Sequence, residues 1–110
     1  SPRYDSNFWL CTVMFAPDLH VKGEENIYEH TACEPNRNVE AMRVALDVAN
    51  IESRPLWKPM HLQPIYANNP YYVNGISESL FRCGLCLPSG PCVTDDDVRY
   101  IVEQIRQNLY

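Results

Sequence analysis

Long apolar runs, glycine and basic charge are all scarce in this chain, and each shortage excludes a class of protein. No apolar stretch approaches the ~18 residues of a membrane-spanning helix, so we predict no membrane partner. Only nine Lys and Arg residues stand against fourteen Asp and Glu, which leaves a formal net charge of −5. Because affinity for a phosphate backbone comes from cationic side chains, we predict no nucleic-acid partner. The four glycines form none of the common phosphate-binding loops.

The size and the cysteine content of the chain fit one intracellular domain. A chain of 110 residues, 45% of them hydrophobic, can bury one core, and we predict a single domain over residues 1–110. The five cysteines are an odd number, and residues 1–10 lack the pattern of a secretion signal. We therefore predict reduced thiols and a cytoplasmic location.

The hydrophobic pattern predicts a two-layer α/β (α+β) fold, in which two main helices cover a small sheet. Apolar residues at both alternating positions predict a central strand, covered on both faces, at residues 7–16. Shorter extended segments at residues 51–57 and 85–87 are predicted as the other strands. Residues 17–38 show no period, and we expect them to form a long surface excursion.

Helical spacing predicts long helices at residues 39–49 and 95–109 and a two-turn helix at residues 77–82 that stops at Gly84. Asn36 or Asn38 is available to cap the first helix, and Thr94 with Asp97 three residues later predicts a capped start for the last. We expect the apolar stripes of both long helices in the core: Val39, Met42, Leu46 and Ala49, and Val98, Ile101, Val102, Ile105 and Leu109.

A C-x-x-C pair, Cys83 and Cys86, leaves three interpretations open: a redox pair, part of a zinc site, or a buried hydrophobic cysteine. Structural zinc requires four ligands, and only this pair has a recognisable spacing. We therefore favour burial of Cys86 and predict no metal site. The isolated His20 and His30 are interpreted as solvated surface residues, and the three aspartates at 95–97 as partners of the helix dipole.

Residues 54–61 are the one stretch that resembles a binding site. Arg54 and Lys58 carry cations suited to phosphate or carboxylate oxygens, and Trp57 offers a face to a sugar or a base. His61 can donate, accept or move a proton. The alternative is that Trp57 packs in the core with its charged neighbours in water. The two lysines of the chain, Lys22 and Lys58, lie beside no phosphate-binding loop, so neither is a convincing Schiff-base nucleophile.

Three segments of the chain resemble one family. Residues 50–64 contain the run Arg-Pro-Leu-Trp-Lys-Pro-Met-His-Leu-Gln-Pro, and residues 80–90 contain Cys-Gly-Leu-Cys-Leu-Pro-Ser-Gly ahead of the Thr94 cap. With residues 7–10, these segments resemble the C-terminal part of the DegT/DnrJ/StrS sugar aminotransferases. The resemblance covers about half to two thirds of the chain. Two features depart from the family pattern. Residues 17–38 form a longer segment than we expect for the family, and Cys83 stands where we expect a charged or polar residue.

The resemblance implies a pyridoxal-phosphate enzyme of the aspartate aminotransferase fold type I, a homodimer that aminates a nucleotide-linked keto sugar with glutamate as donor. It implies that residues 1–110 are the small C-terminal domain, and that the large domain with the Schiff-base lysine precedes Ser1. We expect the chain alone to be inactive and to bind no cofactor. The resemblance implies substrate contacts for four residues: Arg54, Trp57, Lys58 and His61.

A second hypothesis retains the predicted fold but assigns no catalytic role. The chain could instead be a stand-alone module that binds a nucleotide-sugar, or a full-length homologue, without catalysis. An upstream large domain carrying the lysine would distinguish the enzyme from this module.

Overall fold

A three-stranded antiparallel sheet and three α-helices build the chain in a computed structural model, which describes residues 3–7, 9–28 and 34–110. The strands are β1 (Cys11–Met14), β2 (Arg54–Pro55) and β3 (Gly84–Leu87). The helices are α1 (Arg37–Val48), α2 (Ile76–Cys83) and α3 (Asp95–Gln107). Short 3-10 turns lie at Glu24–Asn26, Met60–Leu62 and Pro64–Tyr66. The predicted α/β class is confirmed.

The sheet has β3 at its centre, with β1 and β2 on either side in the order β1-β3-β2. Both neighbours run antiparallel to β3, and Cys86 lies opposite Thr12 on one side and Arg54 on the other. The prediction of a long central strand at residues 7–16 is therefore wrong. β1 is a four-residue edge strand, and the apolar pattern around it reflects exposed side chains, such as Trp9 and Met14, rather than burial on both faces.

The predicted strand at residues 51–57 shortens to Arg54–Pro55. Proline has no N–H to donate to a neighbouring strand, so it is confined to edge positions and limits how far pairing can extend. The predicted strand at residues 85–87 is confirmed within β3.

The core forms between one face of the sheet and the two long helices. Leu85 of β3 is completely buried, and Val13 and Leu87 pack beside it. The buried residues of the cluster are Phe15, Val21, Val39, Ala41, Met42, Leu46, Ile51, Leu85 and Ile101. The predicted α1 stripe is thus confirmed at its first three positions, and its fourth, Ala49, packs partly buried against the cluster.

The α3 stripe is confirmed only in part. Ile101 is buried, and Ile105 and Leu109 pack partly buried against the core. The prediction is wrong at Val98 and Val102, which are 49% and 39% exposed. The reason is that α3 joins the core along a narrow strip, and no described element covers the Val98 side. None of the helices in the described ranges has the length and hydropathy needed to cross a membrane.

The predicted caps of both long helices are confirmed, with Asn36 in place before α1, which begins at Arg37 rather than at the predicted residue 39. The Asn36 side chain accepts a hydrogen bond from the Val39 N–H at 2.9 Å. At α3, the Thr94 hydroxyl accepts from the Asp97 N–H at 3.2 Å, while an Asp97 oxygen accepts from the Thr94 N–H at 2.8 Å. Thr94 donates hydrogen bonds to the Asp97 carboxylate, the stronger influence coming from its hydroxyl and the weaker from its backbone N–H. These bonds hold the pKa of Asp97 below its usual range. Asp95 and Asp96 share this first turn, as the dipole argument expects.

The segment 17–38 is not wholly on the surface, and that prediction is wrong at Val21. This side chain is completely buried, its N–H donates to Asn38 Oδ1 at 2.9 Å, and it pairs with Leu109 in an isolated bridge. Lys22 Nζ donates to the Gln107 carbonyl oxygen at 2.6 Å. The first part of the segment is therefore tied to the end of the chain. His30 and Cys33 lie outside the described residues.

Candidate functional site

The candidate site lies on residues 54–72, which we call the proline segment because it contains four prolines. No residue of the segment is buried, in contrast to the helices that form the core. Two consecutive 3-10 turns bend the chain, and the Gln63 amide spans the bend by donating to the Lys58 carbonyl oxygen at 3.1 Å. Prolines restrict the backbone and this hydrogen bond fixes the turn, so the segment holds its side chains without a core of its own.

The two cations of the proline segment are paired with carboxylates. Arg54 Nη2 lies 2.6 Å from Glu52 Oε1, with both side chains more than 70% exposed. Lys58 Nζ lies 3.6 Å from Glu34 Oε1. Exposed pairs of this kind contribute at most about 1 kcal/mol, so either cation could exchange its carboxylate for a phosphate oxygen at small cost.

The two tryptophans of the chain meet on the surface. The ring centroids of Trp9 and Trp57 are 5.8 Å apart with an interplanar angle of 42°, and the residues are 68% and 66% exposed. Trp57 is therefore not packed in the core, and the structural alternative for it is wrong. The backbone of Trp9 is tied to Ser89, whose hydroxyl donates a hydrogen bond to the Trp9 carbonyl oxygen at 2.9 Å. Together the rings form an exposed aromatic surface.

His61 differs from the other predicted site residues because it is nearly enclosed. Its side chain is only 10% exposed, and its Nε2 lies 2.7 Å from Glu78 Oε1. The ring of Tyr71 packs on it with centroids 5.1 Å apart. His61 also lines a small cavity of about 160 Å³. Because Glu78 pairs with Nε2, the nearly enclosed imidazole has no unsatisfied hydrogen-bonding group at that nitrogen.

The structure does not bring the four predicted side chains into one cavity. Arg54 lines a cavity of about 240 Å³ beside Cys86 and Pro88, whereas His61 lines the separate one near Tyr71. A larger groove of about 570 Å³, bordered by α2 and the start of α1, contains none of the four. Within the described part of the chain the four residues thus share a segment but not a single pocket.

Sequence reasoning missed three partners of this site: Trp9, Tyr71 and Glu78. Trp9 was assigned to a strand, and Glu78 to an ordinary helix. Each lies far from its partner in the chain, 48 residues in the case of Trp9 and Trp57 and 17 for Glu78 and His61. No local spacing signals such a contact, so only the folded chain reveals it.

The cysteines follow the interpretation that sequence favoured for Cys86. Cys86 is 9% exposed in the central strand, and burial, then the neighbouring Cys11, raises the pKa of its thiol. A catalytic redox thiol requires the opposite shift. The described cysteines, Cys11, Cys83, Cys86 and Cys92, are all free, and the described residues hold no cluster of three potential metal ligands.

The fold and the site together describe a small α/β domain with polar and aromatic side chains on a proline-rich edge. The chain belongs to the DegT/DnrJ/EryC1/StrS aminotransferase family, whose sequence model matches residues 3–106. The resemblance noted in the sequence is thereby confirmed.

Three relatives give the range of similarity. EpsN of Bacillus subtilis, named as a pyridoxal phosphate-dependent aminotransferase, is 43% identical over 58 residues, which are 49% of this chain and 15% of that protein. A GDP-perosamine synthase of Escherichia coli O157:H7 is 37% identical over 68 residues, 62% of this chain and 18% of that protein. The GDP-perosamine synthase of Caulobacter vibrioides is 28% identical over 102 residues, which are 93% of this chain and 23% of that protein. The chain matches less than a quarter of the length of these relatives.

Proposed function

We propose that this chain is the small C-terminal domain of a pyridoxal-phosphate-dependent aminotransferase of fold type I. The longer protein would convert the keto group of a nucleotide-linked sugar to an amine for polysaccharide or glycoconjugate synthesis. The observation that carries the proposal is the family match over residues 3–106. It is supported by relatives named for a pyridoxal-phosphate aminotransferase and for the synthesis of GDP-perosamine.

The residues of this chain do not fit pyridoxal phosphate by themselves. Lys22 Nζ is bound to the Gln107 carbonyl oxygen, and Lys58 Nζ lies against Glu34. A Schiff-base lysine requires a site that also holds the cofactor phosphate, and neither lysine has such a setting. In the proposal the cofactor therefore binds outside these 110 residues, and the chain contributes only to the substrate side.

The proline segment is the part we assign to the nucleotide-sugar. Arg54 and Lys58 would meet diphosphate oxygens, and Trp57, with Trp9 beside it, would pack against the sugar or the base. His61 would hydrogen-bond near the carbon that receives the amine. The exposure of Arg54 and Trp57 supports these contacts, because both side chains are open to a ligand.

The proposal also includes partners and a location. We assign glutamate as the amino donor, a homodimer as the working form, and the cytoplasm as the compartment. The odd number of cysteines and the free thiols of the described residues support a reducing compartment.

The first test is the intact mass of the natural gene product, followed by an amination assay. The proposal expects a mass roughly three to four times 12.7 kDa, because 58 matched residues are 15% of EpsN, which makes that relative about 390 residues long against the 110 of this chain. That product, with pyridoxal phosphate, glutamate and a panel of nucleotide-linked keto sugars, should yield an amino sugar and 2-oxoglutarate. The same mixture without glutamate is the control.

Two results would contradict the proposal. A natural product near 12.7 kDa would favour a stand-alone module that binds a nucleotide-sugar or a homologue. A longer product that aminates no sugar of the panel, while binding them, would contradict the assigned reaction.

A further inference from the structure

Glu78 joins His61 across two separate parts of the chain. Glu78 lies in the first turn of α2, and His61 lies in the proline segment, 17 residues earlier. The distance from His61 Nε2 to Glu78 Oε1 is 2.7 Å, and the packed ring of Tyr71 restricts the imidazole further. With a side chain only 10% exposed, His61 has little freedom to turn away.

This contact decides which ring nitrogen of His61 is available. An ionised carboxylate only accepts hydrogen bonds, so Nε2 must donate its proton to Glu78. In the neutral ring Nδ1 is then the acceptor, and it has no hydrogen-bond partner among the described residues. The ring borders the cavity of about 160 Å³, which leaves room beside it for a polar group of a ligand.

We propose that Glu78 is a positioning residue: it fixes the orientation and tautomer of His61, so that Nδ1 accepts a hydrogen bond from a hydroxyl of the bound keto sugar. This inference rests on the proposed function, since it takes the substrate contact of His61 from there. Glu78 itself touches no substrate and acts only through the imidazole. The arrangement follows a general rule, in which a carboxylate bound to one imidazole nitrogen sets what the other nitrogen does.

The chain contains a matched control for this pair. His20 Nδ1 also lies 2.7 Å from a glutamate oxygen, that of Glu24. However, the His20 side chain is 63% exposed and its partner is four residues away, so water competes for the ring. The two pairs share residue types and distance, and they differ in burial.

The first arm of the test is a proton NMR spectrum of the 110-residue chain with labelled imidazole nitrogens. We expect a protected Nε2–H signal from His61 and none from His20, because exposed ring protons exchange rapidly with water. Glu78→Ala should remove the His61 signal, whereas Glu78→Gln should keep it, since the amide oxygen still accepts. Glu24→Ala should change nothing. A His61 signal that persists in Glu78→Ala would overturn the proposal.

The second arm is the kinetics of the longer protein with its nucleotide-linked keto sugar. Glu78→Ala should lower kcat/KM roughly tenfold to a hundredfold, since small displacements of a positioned group have effects of this size. Glu78→Gln should recover most of the loss, and Glu24→Ala should match the wild type. Full activity of Glu78→Ala, or equal losses in the Ala and Gln variants, would overturn positioning by Glu78. A wild-type protein that transfers no amine would instead contradict the proposed function, and the NMR arm would still decide the contact.

Discussion

The helix-covered core and the proline segment are stabilised by different means. The core buries apolar side chains from the sheet, α1, α3 and the segment 17–38, and five of them, including Met42, Leu46 and Leu85, are completely buried. The proline segment buries no residue, and side-chain contacts hold it instead: Gln63 to the Lys58 carbonyl oxygen, His61 to Glu78, and Trp57 to Trp9. The first region specifies the fold, and the second is the part that we propose contacts a ligand.

The two means of stabilisation predict different effects of substitution. Removing apolar volume from the core should cost stability, because the cavity that is left cannot refill completely. Truncating a side chain of the proline segment should leave the fold intact and change only what the surface binds.

Leu46→Ala should have the largest effect. Leu46 is completely buried in α1, and deleting a buried leucine typically costs about 2–5 kcal/mol. Urea denaturation followed by circular dichroism measures the loss. Val48→Ala is the control on the same helix, because Val48 is 85% exposed and should change stability by less than about 0.5 kcal/mol. Equal losses in the two variants would contradict the assigned core.

Gly84→Ala should test the contact between the two regions. A Cβ at Gly84 would lie 2.3 Å from Leu56 Cδ1 and 2.7 Å from the Leu80 carbonyl oxygen, so both the Leu56 side chain and the backbone near Leu80 must shift. We expect a loss of about 1–3 kcal/mol, as for overpacked sites, with a change in the environment of the adjacent Trp57. Gly90→Ala is the matched control, since its nearest contact, Cys92 Sγ, would be 3.7 Å away. An unchanged tryptophan emission spectrum in Gly84→Ala would contradict a contact between the sheet at Gly84 and the proline segment.

Thr94→Ala should have a smaller effect, confined to the start of α3. Loss of an N-cap residue typically costs about 1 kcal/mol, measurable as a lower urea midpoint. Val93→Ala, next to it but outside the cap, is a comparison for the loss of side-chain volume alone.

The same cap gives a pH dependence with a definite sign. The pKa of Asp97 is lower in the folded chain than its ordinary value of 3.8, because Thr94 donates hydrogen bonds to the carboxylate. Asp97 therefore stabilises the fold above that ordinary value, and the contribution is lost as the pH falls through the folded value. In Thr94→Ala this acid sensitivity should be weaker. An unchanged dependence on pH would contradict the role of the Thr94 hydroxyl.

The sequence predicted what depends on local pattern and missed what depends on tertiary contact. The period of α1 and the cap at Thr94 are local, because helical hydrogen bonds and side-chain stripes repeat over a few residues. The central position of β3, by contrast, is set by pairing between distant segments. Val98 and Val102 show the same limit, since their spacing matches a buried stripe but nothing described covers them.

The candidate site follows the same division. Its residue types and the stiffness of its prolines are visible in the sequence, and so is its resemblance to a family. The partners that complete it, Trp9 for Trp57 and Glu78 for His61, come from segments far away in the chain.

Trp57→Ala should have the smallest effect on stability in the 110-residue chain. The residue is 66% exposed, and aromatic pairs contribute about 0.5–1.5 kcal/mol, of which we expect the lower end for two rings that are mostly in water. The emission of Trp9 should nevertheless change, because its neighbouring ring is gone. A loss of stability as large as that of Leu46→Ala would contradict the division into two regions.

The most direct test is kcat/KM of the proposed longer protein for the nucleotide-linked keto sugar that we propose as its substrate, measured for wild type, Trp57→Ala and Val48→Ala. We expect a loss of roughly two- to tenfold for Trp57→Ala, since an aromatic contact contributes about 0.5–1.5 kcal/mol and about 1.4 kcal/mol is a factor of ten. Val48→Ala, on the exposed face of α1, should match the wild type. An unchanged kcat/KM in Trp57→Ala would contradict the claim that the proline segment meets the substrate.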